Sequence, residues 1–448
     1  MSFWLRRSVQ LWHQRTLCSA LTGTKSYDIV IVGGGLVGAA VCAGVAQSGS
    51  PCKIAIVEPN LQKFLSNSVE QEERSFPLRT STINPASQRW LKKLKIWELL
   101  DSQEIASFSR MKVWDSRSGS SIVFHSSEVG LESLGSVVAN DDLLRACYRR
   151  IQRSAMSKQS KIDFFDSGVD TFQWSSSHRG FTEWPVLTLK DGNELHCRLV
   201  IAADGSNSPT RKSANIPWFS HYYQQRAIVV TVRTEKLHRT AWQRFLSTGP
   251  IALLPMAGLN VSNVVWSTTE LEASILSSAT KEALIDELNK AFLGVANDTI
   301  LKKADSEEYP PVISEILKGP ASFPLVLGHA TEYVKERLVL VGDAAHSVHP
   351  LAGQGVNLGF ADARCLVEIL ENARMTGRDF GEISLLLQYQ LRRLPKNLLM
   401  LSSLHGLETI FSSSLGPVSF IRGLGMSLLG GFIPAKKAII DFASGKIE

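Results

Sequence analysis

The chain has 448 residues, of which 44% are hydrophobic and 20% charged, with a formal net charge of +6. That length exceeds one ordinary core and implies two or more subdomains, and the composition excludes a disordered, fibrous or collagen-like chain. No run of about 18 apolar residues is free of breaks or charges, so a spanning helix is not expected, and no basic stripe carries interleaved aromatics, so nucleic acid is not expected as a partner.

The first 25 residues differ from the rest. "MSFWLRRSVQLWHQRTLCSALTGTK" carries Arg6, Arg7, Arg15 and Lys25, and no acid precedes Asp28. On a helical wheel Trp4, Leu5, Val9, Leu11 and Trp12 share one side, with Arg6, Arg7, Gln10, His13 and Gln14 on the other. A basic, acid-free amphipathic start containing Ser and Thr is the signature of a mitochondrial transit peptide. Its four cations supply four of the six net positive charges, so the overall basicity belongs mainly to the address label.

"YDIVIVGGGLVGAAVCAGVAQSG" (27–49) follows. Asp28–Val32 is a β-branched run, the pattern of a strand buried on both faces. Gly33, Gly35 and Gly38 then form GxGxxG. The first glycine permits the tight turn, the second lets backbone approach a pyrophosphate, and the third lets the next helix pack on the strand. That helix, from about Leu36 to Ser48, aims free N–H groups at the phosphates. "KIAIVEPN" makes a second buried strand ending at Glu58, 20 residues beyond Gly38, where a carboxylate accepts hydrogen bonds from ribose hydroxyls. At this point FAD and NAD(P) both remain open.

"LVIAADGSNSPTR" (199–211) is another buried strand running into Asp204–Gly205, which taken alone is a common turn dipeptide. Alternating segments follow: "AIVVTVRT" (227–234), "GPIALLP" (249–255) and "VSNVVWST" (261–268). They read as antiparallel strands with one buried face, and "MKVWD" and "SIVFH" near 111–125 are expected to join them. In "RLVLVGDAAHSVHPLAGQGVNLGFADARCLVEIL" (337–370), a strand over Leu338–Val341 ends at Gly342–Asp343. A loop with Gly353 and Gly355 leads to a helix from about Val356. Asp343 at the strand's end suits a polyol chain, and the glycine loop lets backbone approach a flat ring, with a helix N-terminus behind it. His346 and His349 lack a third ligand pattern such as HExxH, so no metal is expected. The six cysteines, Cys18, Cys42, Cys52, Cys147, Cys197 and Cys365, form no CxxC and read as reduced, buried hydrophobes.

In this order and at these distances, GxGxxG, the central DG and GDAAHxxxPxxGxGxN resemble the three fingerprints of the para-hydroxybenzoate hydroxylase superfamily of flavin monooxygenases. "RTSTINPASQRWLKKLKIWELL" (79–100), "VVANDDLLRA" (137–146), "AWQRFLSTGPIALLP" (241–255) and "GDAAHSVHPLAGQGVNLGF" (342–360) look similar to its mitochondrial ubiquinone (coenzyme Q) biosynthesis branch. The resemblance covers most of the chain after residue 26. It implies an FAD cofactor, with Gly33, Gly35 and Gly38 on the pyrophosphate and Glu58 on the adenosine ribose. Arg79 takes the place of the family's flavin-side arginine. Asn140 lies in a motif touching the phosphates, where other members often show Arg or Gln. Asp204 falls near the flavin chain, Asp343 on the ribityl hydroxyls, and Gly353, Gly355 and Asn357 at the isoalloxazine.

The expected fold is α/β, a Rossmann-like FAD-binding domain with an antiparallel-sheet substrate domain. The FAD domain is expected over 26–105, 136–210 and 325–400, the substrate domain over 106–135 and 211–324, and a C-terminal helical region with possible membrane contact over 401–448. The resemblance implies hydroxylation at ring carbon 5 of a polyprenylated 4-hydroxybenzoate-type precursor by molecular oxygen. A flavin hydroperoxide would attack a ring activated as its phenolate. No catalytic base is identified; His221, Tyr222 and Tyr223 precede the sheet and read either as lining the site or as surface aromatics. A second GxGxxG after a strand is absent, so reduction is expected at the flavin's own site, by NAD(P)H or a ferredoxin system. The implied location is the matrix side of the inner membrane, held peripherally with other coenzyme Q biosynthesis proteins. Two other functions fit the same residues: a hydroxylase or epoxidase of another aromatic or lipid, and a non-catalytic FAD-bound subunit of a biosynthetic complex.

Overall fold

The computed structural model describes residues 25–47, 52–65, 76–156, 160–174, 177–178, 181–258, 260–294, 308–348, 353–412 and 433–446. Residues 1–24 of the predicted import segment 1–25, His349 and the apolar stretch 413–432 lie outside them. Two large sheets carry the fold. The first is built on parallel strands in the order Leu338–Leu340, Glu194–Ala202, Lys25–Val32, Lys53–Val57, Lys161–Phe165. In sequence terms the order reverses between Lys25–Val32 and Glu194–Ala202, which are paired Val32 to Ala202. At such a switch point the connections leave in opposite directions and open a crevice beyond the strand ends.

The strands Ile29–Val32, Ile54–Val57 and Leu199–Ala202 are buried on both faces, as their unbroken apolar runs require. Helix Leu36–Gln47 covers one face and is itself apolar almost all round. Its small residues let neighbours in. A Cβ on Gly44 would sit 2.8 Å from Val367 Cγ2 of helix Gly355–Met375.

The second sheet runs His346–Ser347, Ile313–Ala330, Trp218–Thr234, Val261–Thr269, Gly249–Pro255, Thr240–Leu246, Arg110–Asp115, Ser121–His125. Its neighbours are antiparallel except Thr240–Leu246 with Arg110–Asp115. Helices Glu270–Ser278 and Lys281–Leu293 cover one face, burying Leu276, Leu284 and Leu288 against Ile228, Val230, Val264 and Trp266. A small third sheet orders Thr80–Ile83, Gly135–Ala139, Ile105–Phe108.

Three expectations are corrected. The boundary at 324/325 falls inside the strand Ile313–Ala330, where Gly319, Pro320 and Pro324 break the alternation. The ladder absorbs them by register shifts against Trp218–Thr234. The boundaries near 105 and 136 likewise fall on strands, both paired in the third sheet. His221, Tyr222 and Tyr223 do not precede the sheet; they lie within the strand Trp218–Thr234.

His238 and His329 are held neutral in the fold. His238 lies between Thr240 O and Ser262 Oγ, at 2.9 and 2.8 Å, and burial depresses its pKa from 6.5 to about 4. Burial, with His346 alongside, depresses His329 to about 4 as well. The unfolded chain binds both protons below about pH 6.5. Their contribution is therefore intact above pH 6.5 and is lost as pH falls toward 4, by up to about 1.4 kcal/mol per pH unit for each ring. Urea midpoints measured between pH 4.5 and 6.5 are expected to fall with pH, and His238→Gln to flatten that slope; an unchanged slope overturns the assignment of His238.

Candidate functional site

The switch point is crowded by backbone. Gly33 has φ +100° and donates its N–H to Val57 O, and a Cβ there would lie 2.3 Å from Ala203 O. A Cβ on Gly38 would lie 2.0 Å from Gly33 O. Gly35 is different, for a Cβ there would meet nothing within 4 Å. Two glycines thus serve contact between backbones, while the middle one faces open space at the N-terminus of helix Leu36–Gln47. Gly34, not singled out in the sequence, is clamped from both sides. Its N–H donates to Glu58 Oε2 at 2.6 Å, and its carbonyl accepts from Tyr148 Oη at 2.7 Å.

Glu58 ends its strand half-buried, with burial pushing its pKa up, its bond from Gly34 opposing and Asp166 adding to the rise. It spends one oxygen on the glycine turn and keeps the other without a protein donor among the described residues.

Asp204 Oδ2 accepts the Thr210 N–H at 3.0 Å, while its Oδ1 is buried without a hydrogen-bond partner among the described residues. Arg211 donates to Ser206 O and to Ala344 O, at 2.7 and 2.8 Å, and its guanidinium lies 3.8 Å from the Trp218 ring centroid. The central fingerprint is thereby fastened to the late one. The early and late fingerprints meet at Val37, whose Cγ2 lies 3.1 and 2.5 Å from where a Cβ on Gly342 and Gly359 would stand.

Asp343 leaves the short turn Gly342–Ala344 with an exposed side chain and no hydrogen-bond partner among the described residues. Desolvation nonetheless pushes its pKa up, against His346 and together with Asp362.

A Cβ on Gly353 would stand 3.4 Å from Thr82, and one on Gly355 3.4 Å from Val348. Asn357, only 2% exposed, donates to Thr82 O at 2.8 Å and Gly353 O at 3.1 Å and accepts from Asn84 N at 3.0 Å. Its amide holds the loop to the strand Thr80–Ile83. Asn140 opens helix Asn140–Met156, with its N–H on Arg79 O and its Oδ1 accepting from Ser81 Oγ. The Arg79 side chain is exposed, stacked 5.2 Å from the Phe323 ring centroid of the second sheet.

Contacts through Val37, Arg211 and Asn357 therefore bring the three fingerprints together, with Gly35 and Asp343 left open among them. Tyr148, Arg211, Asp362 and Arg393 join them through contacts that carry no local sequence signal. The described residues fit a flavin dinucleotide: an open glycine at a helix N-terminus, a strand-end carboxylate with one uncommitted oxygen, an orphaned buried Asp204 Oδ1 and a free Asp343 beside a glycine loop.

On the far side of that loop an apolar cluster joins Phe245, Leu358, Met400 and Leu404, with Val348 and Phe411 packed on it. Next to it on helix Ile383–Ser412, His405 Nδ1 lies 3.0 Å from Tyr223 Oη, with the His221 ring 5.3 Å from the His405 ring. Burial and Glu408 push the Tyr223 phenol up to about 12. Among the described residues no group of three or more His, Cys, Asp or Glu side chains is placed to hold a metal.

The profile of an FAD binding domain family matches residues 182–401. The ubiquinone biosynthesis monooxygenase COQ6, mitochondrial, of Xenopus tropicalis is 34% identical, with 94% of each chain covered. That of Homo sapiens is 35% identical over 93% of this chain and 92% of its own. Among solved structures, PqsL of Pseudomonas aeruginosa, a probable FAD-dependent monooxygenase, superposes with a TM-score of 0.68 at 20% identity, covering 90% of this chain and 99% of that one. HpxO of Klebsiella pneumoniae, solved with FAD and uric acid, gives 0.67 at 16% identity, over 94% and 98%. These two share the fold.

The glycines separate by experiment on the apoprotein. Gly38→Ala forces a methyl into the Gly33 carbonyl and is expected to cost about 1–3 kcal/mol or more, whereas Gly35→Ala is expected to leave the melting temperature within a degree or so, about the scatter of a neutral exposed substitution. Equal losses at both positions would refute the division of roles.

Proposed function

This chain belongs to the family of mitochondrial ubiquinone biosynthesis monooxygenases, FAD-dependent enzymes of the aromatic-ring hydroxylase fold, and on that footing we propose that it hydroxylates ring carbon 5 of a polyprenylated 4-hydroxybenzoate-type precursor. The observation that carries the reading is the meeting of the three fingerprints at Val37 and Arg211, which leaves Gly35 and the carboxylate of Asp343 open, with an apolar cluster on the other side of the glycine loop.

FAD held by these residues would, once reduced, activate molecular oxygen for transfer of one oxygen atom to an electron-rich ring, the other leaving as water. The chain's own residues bind, orient and exclude water. Gly35 and the helix N-terminus behind it receive the pyrophosphate, with Gly33 and Gly38 holding the turn. Glu58 keeps one carboxylate oxygen for the adenosine ribose. Arg79 stands at the flavin side, stacked on Phe323, and the Asn140 amide reaches toward the phosphates. Asp204 lies by the flavin chain, and Asp343 receives the ribityl hydroxyls. Gly353 and Gly355 border the ring. Asn357 acts by holding their loop, since its amide is already committed. Phe245, Val348 and Leu358 give the substrate ring and the start of its tail a dry surface, which strengthens every polar contact beside it. Electrons come from NAD(P)H or a ferredoxin system, delivered to the flavin at this same site.

A polyprenyl substrate lives in a bilayer, and we place the enzyme on the matrix side of the inner membrane as a peripheral protein, in company with other enzymes of the pathway. Among the described residues no helix is long and apolar enough to cross a membrane. Helix Ile383–Ser412 instead exposes Leu387, Leu391, Leu398, Leu399, Leu407 and Ile410, with Arg392 and Lys396 exposed among them. An apolar stripe edged by cations suits an anionic leaflet.

Lipid extracts of cells lacking the protein test the activity. A prenylated monophenol missing one hydroxyl is expected to accumulate, and normal quinone levels overturn the reading. Asp343→Ala in the same cells is expected to yield protein depleted of FAD and quinone content reduced at least several-fold. For the membrane face, Leu391→Asp with Leu398→Asp is expected to abolish flotation with phosphatidylglycerol vesicles while FAD content is retained; flotation equal to wild type refutes that surface.

A further inference from the structure

Asp362 lies on helix Gly355–Met375 and is completely buried, at 0% exposure. Both of its oxygens are fully used. Oδ2 accepts from His346 Nε2 at 2.5 Å and from the Gly342 N–H at 3.1 Å. Oδ1 accepts from Arg393 Nε at 2.8 Å and Asn397 Nδ2 at 3.1 Å. Arg393 and His346 are almost as buried, at 3% and 1%. Burial alone would raise the Asp362 pKa, but His346 and Arg393 hold it down to about 2, so it is an anion at any working pH.

Enclosing these charges costs several kcal/mol per ion before their mutual attraction is counted, and a hydrophobic cluster of the same volume would stabilise the core at least as well. Stability is therefore a poor reason for this arrangement. What an apolar cluster would lose is the bond to Gly342. The turn Gly342–Ala344 begins after Val341 with no side-chain cap, and Gly342 sits at φ +58°. Asp362 supplies the missing acceptor from a different element. It thereby fixes the direction in which the next residue, Asp343, leaves the turn.

We propose that Asp362 is a positioning residue for FAD binding: it touches no cofactor atom, and it acts by holding the Gly342 turn so that the free carboxylate of Asp343 faces the polyol chain. The inference rests on the reading of Asp343 as the polyol ligand. It distinguishes a positioning role, expressed through Asp343 alone, from general support of the fold.

The test is a double-mutant cycle on the FAD dissociation constant of the full-length apoprotein, followed by flavin fluorescence, with apoprotein melting as the control. The variants are Asp343→Asn, Asp362→Leu with Arg393→Met (which removes the buried pair as a unit), and the three substitutions together. Asp343→Asn is expected to weaken FAD about tenfold, the loss of one charge-assisted hydrogen bond. The Asp362 variant is expected to weaken it by a similar factor with the melting temperature close to wild type. The triple variant is expected to be no weaker than Asp343→Asn alone, because the positioning residue has nothing left to position. Losses that multiply, or an Asp362 variant that binds FAD as wild type does, overturn the inference and leave the Asp343 reading standing. An Asp343→Asn protein with unchanged FAD affinity overturns the reading itself. If the paired variant does not fold, Asp362→Asn takes its place in the cycle; if neither folds, Asp362 is support for the fold and the inference is overturned.

Discussion

The contact on which the rest of this molecule depends is backbone against backbone, where Gly33 meets Ala203 and Gly38 meets Gly33. A single methyl at Gly33 or Gly38 would lie 2.3 or 2.0 Å from a carbonyl oxygen. The helix Leu36–Gln47 can therefore sit at the end of its strand only if both positions are glycine. Its N-terminal N–H groups then open toward the crevice beyond the switch point rather than into the sheet. Gly35 needs no such room, and its side faces the crevice. The GxGxxG spacing thus separates the two glycines that build the fold from the one whose side is left open.

That crevice is closed by parts of the chain far apart in sequence, and polar fasteners bring them in. Arg211 ties the central fingerprint to Ala344, Tyr148 pins Gly34, and Asn357 ties the ring loop to Thr82 and Asn84. Each is buried or nearly so, and each ends on a backbone atom. A backbone target is independent of the neighbour's side chain, so it fixes where a loop lies more than what the loop contains. The short pairing of His346–Ser347 with Gly328–His329 adds the last joint, stitching the late fingerprint into the second sheet.

Local periodicity explains what was legible in the sequence. The strand, glycine, helix and strand from Tyr27 to Glu58 form one contiguous unit, and the alternation in 227–234, 249–255 and 261–268 marks a sheet with one covered face. Those signals are carried by neighbours in the chain. The site's supporting contacts are not: Tyr148 reaches Gly34 across 114 positions, and Arg393 reaches Asp362 across 31. A tyrosine or arginine on the inner face of an amphipathic helix looks the same whether it fills space or holds a loop. Asn357 illustrates the limit. Its position beside the ring loop was readable from its motif, but the commitment of its amide to three backbone atoms was not. The strand Ile313–Ala330 failed for the opposite reason, since its glycine and prolines announce a break that the register shifts of its ladder absorb.

Helix Ile383–Ser412 couples the two ends of the proposed chemistry. Its inner face contributes Tyr389, Arg393, Asn397 and Leu404, which reach the strand end at Leu340, the buried Asp362 and the apolar cluster beside the ring loop. Its outer face presents Leu391, Leu398 and Leu399 to the surroundings. Arg393 cannot move without leaving Asp362 uncompensated, a change worth several kcal/mol in a buried setting. The helix is thus anchored to helix Gly355–Met375 by its charges, and its leucines are held in place relative to Asp343. For a substrate whose ring must reach a flavin while its tail stays in hydrocarbon, that fixed placement is the useful property. The ion pair is costly as cement, and what it does is tie this helix, with its exposed leucines, to the helix that holds the Gly342 turn beside Asp343.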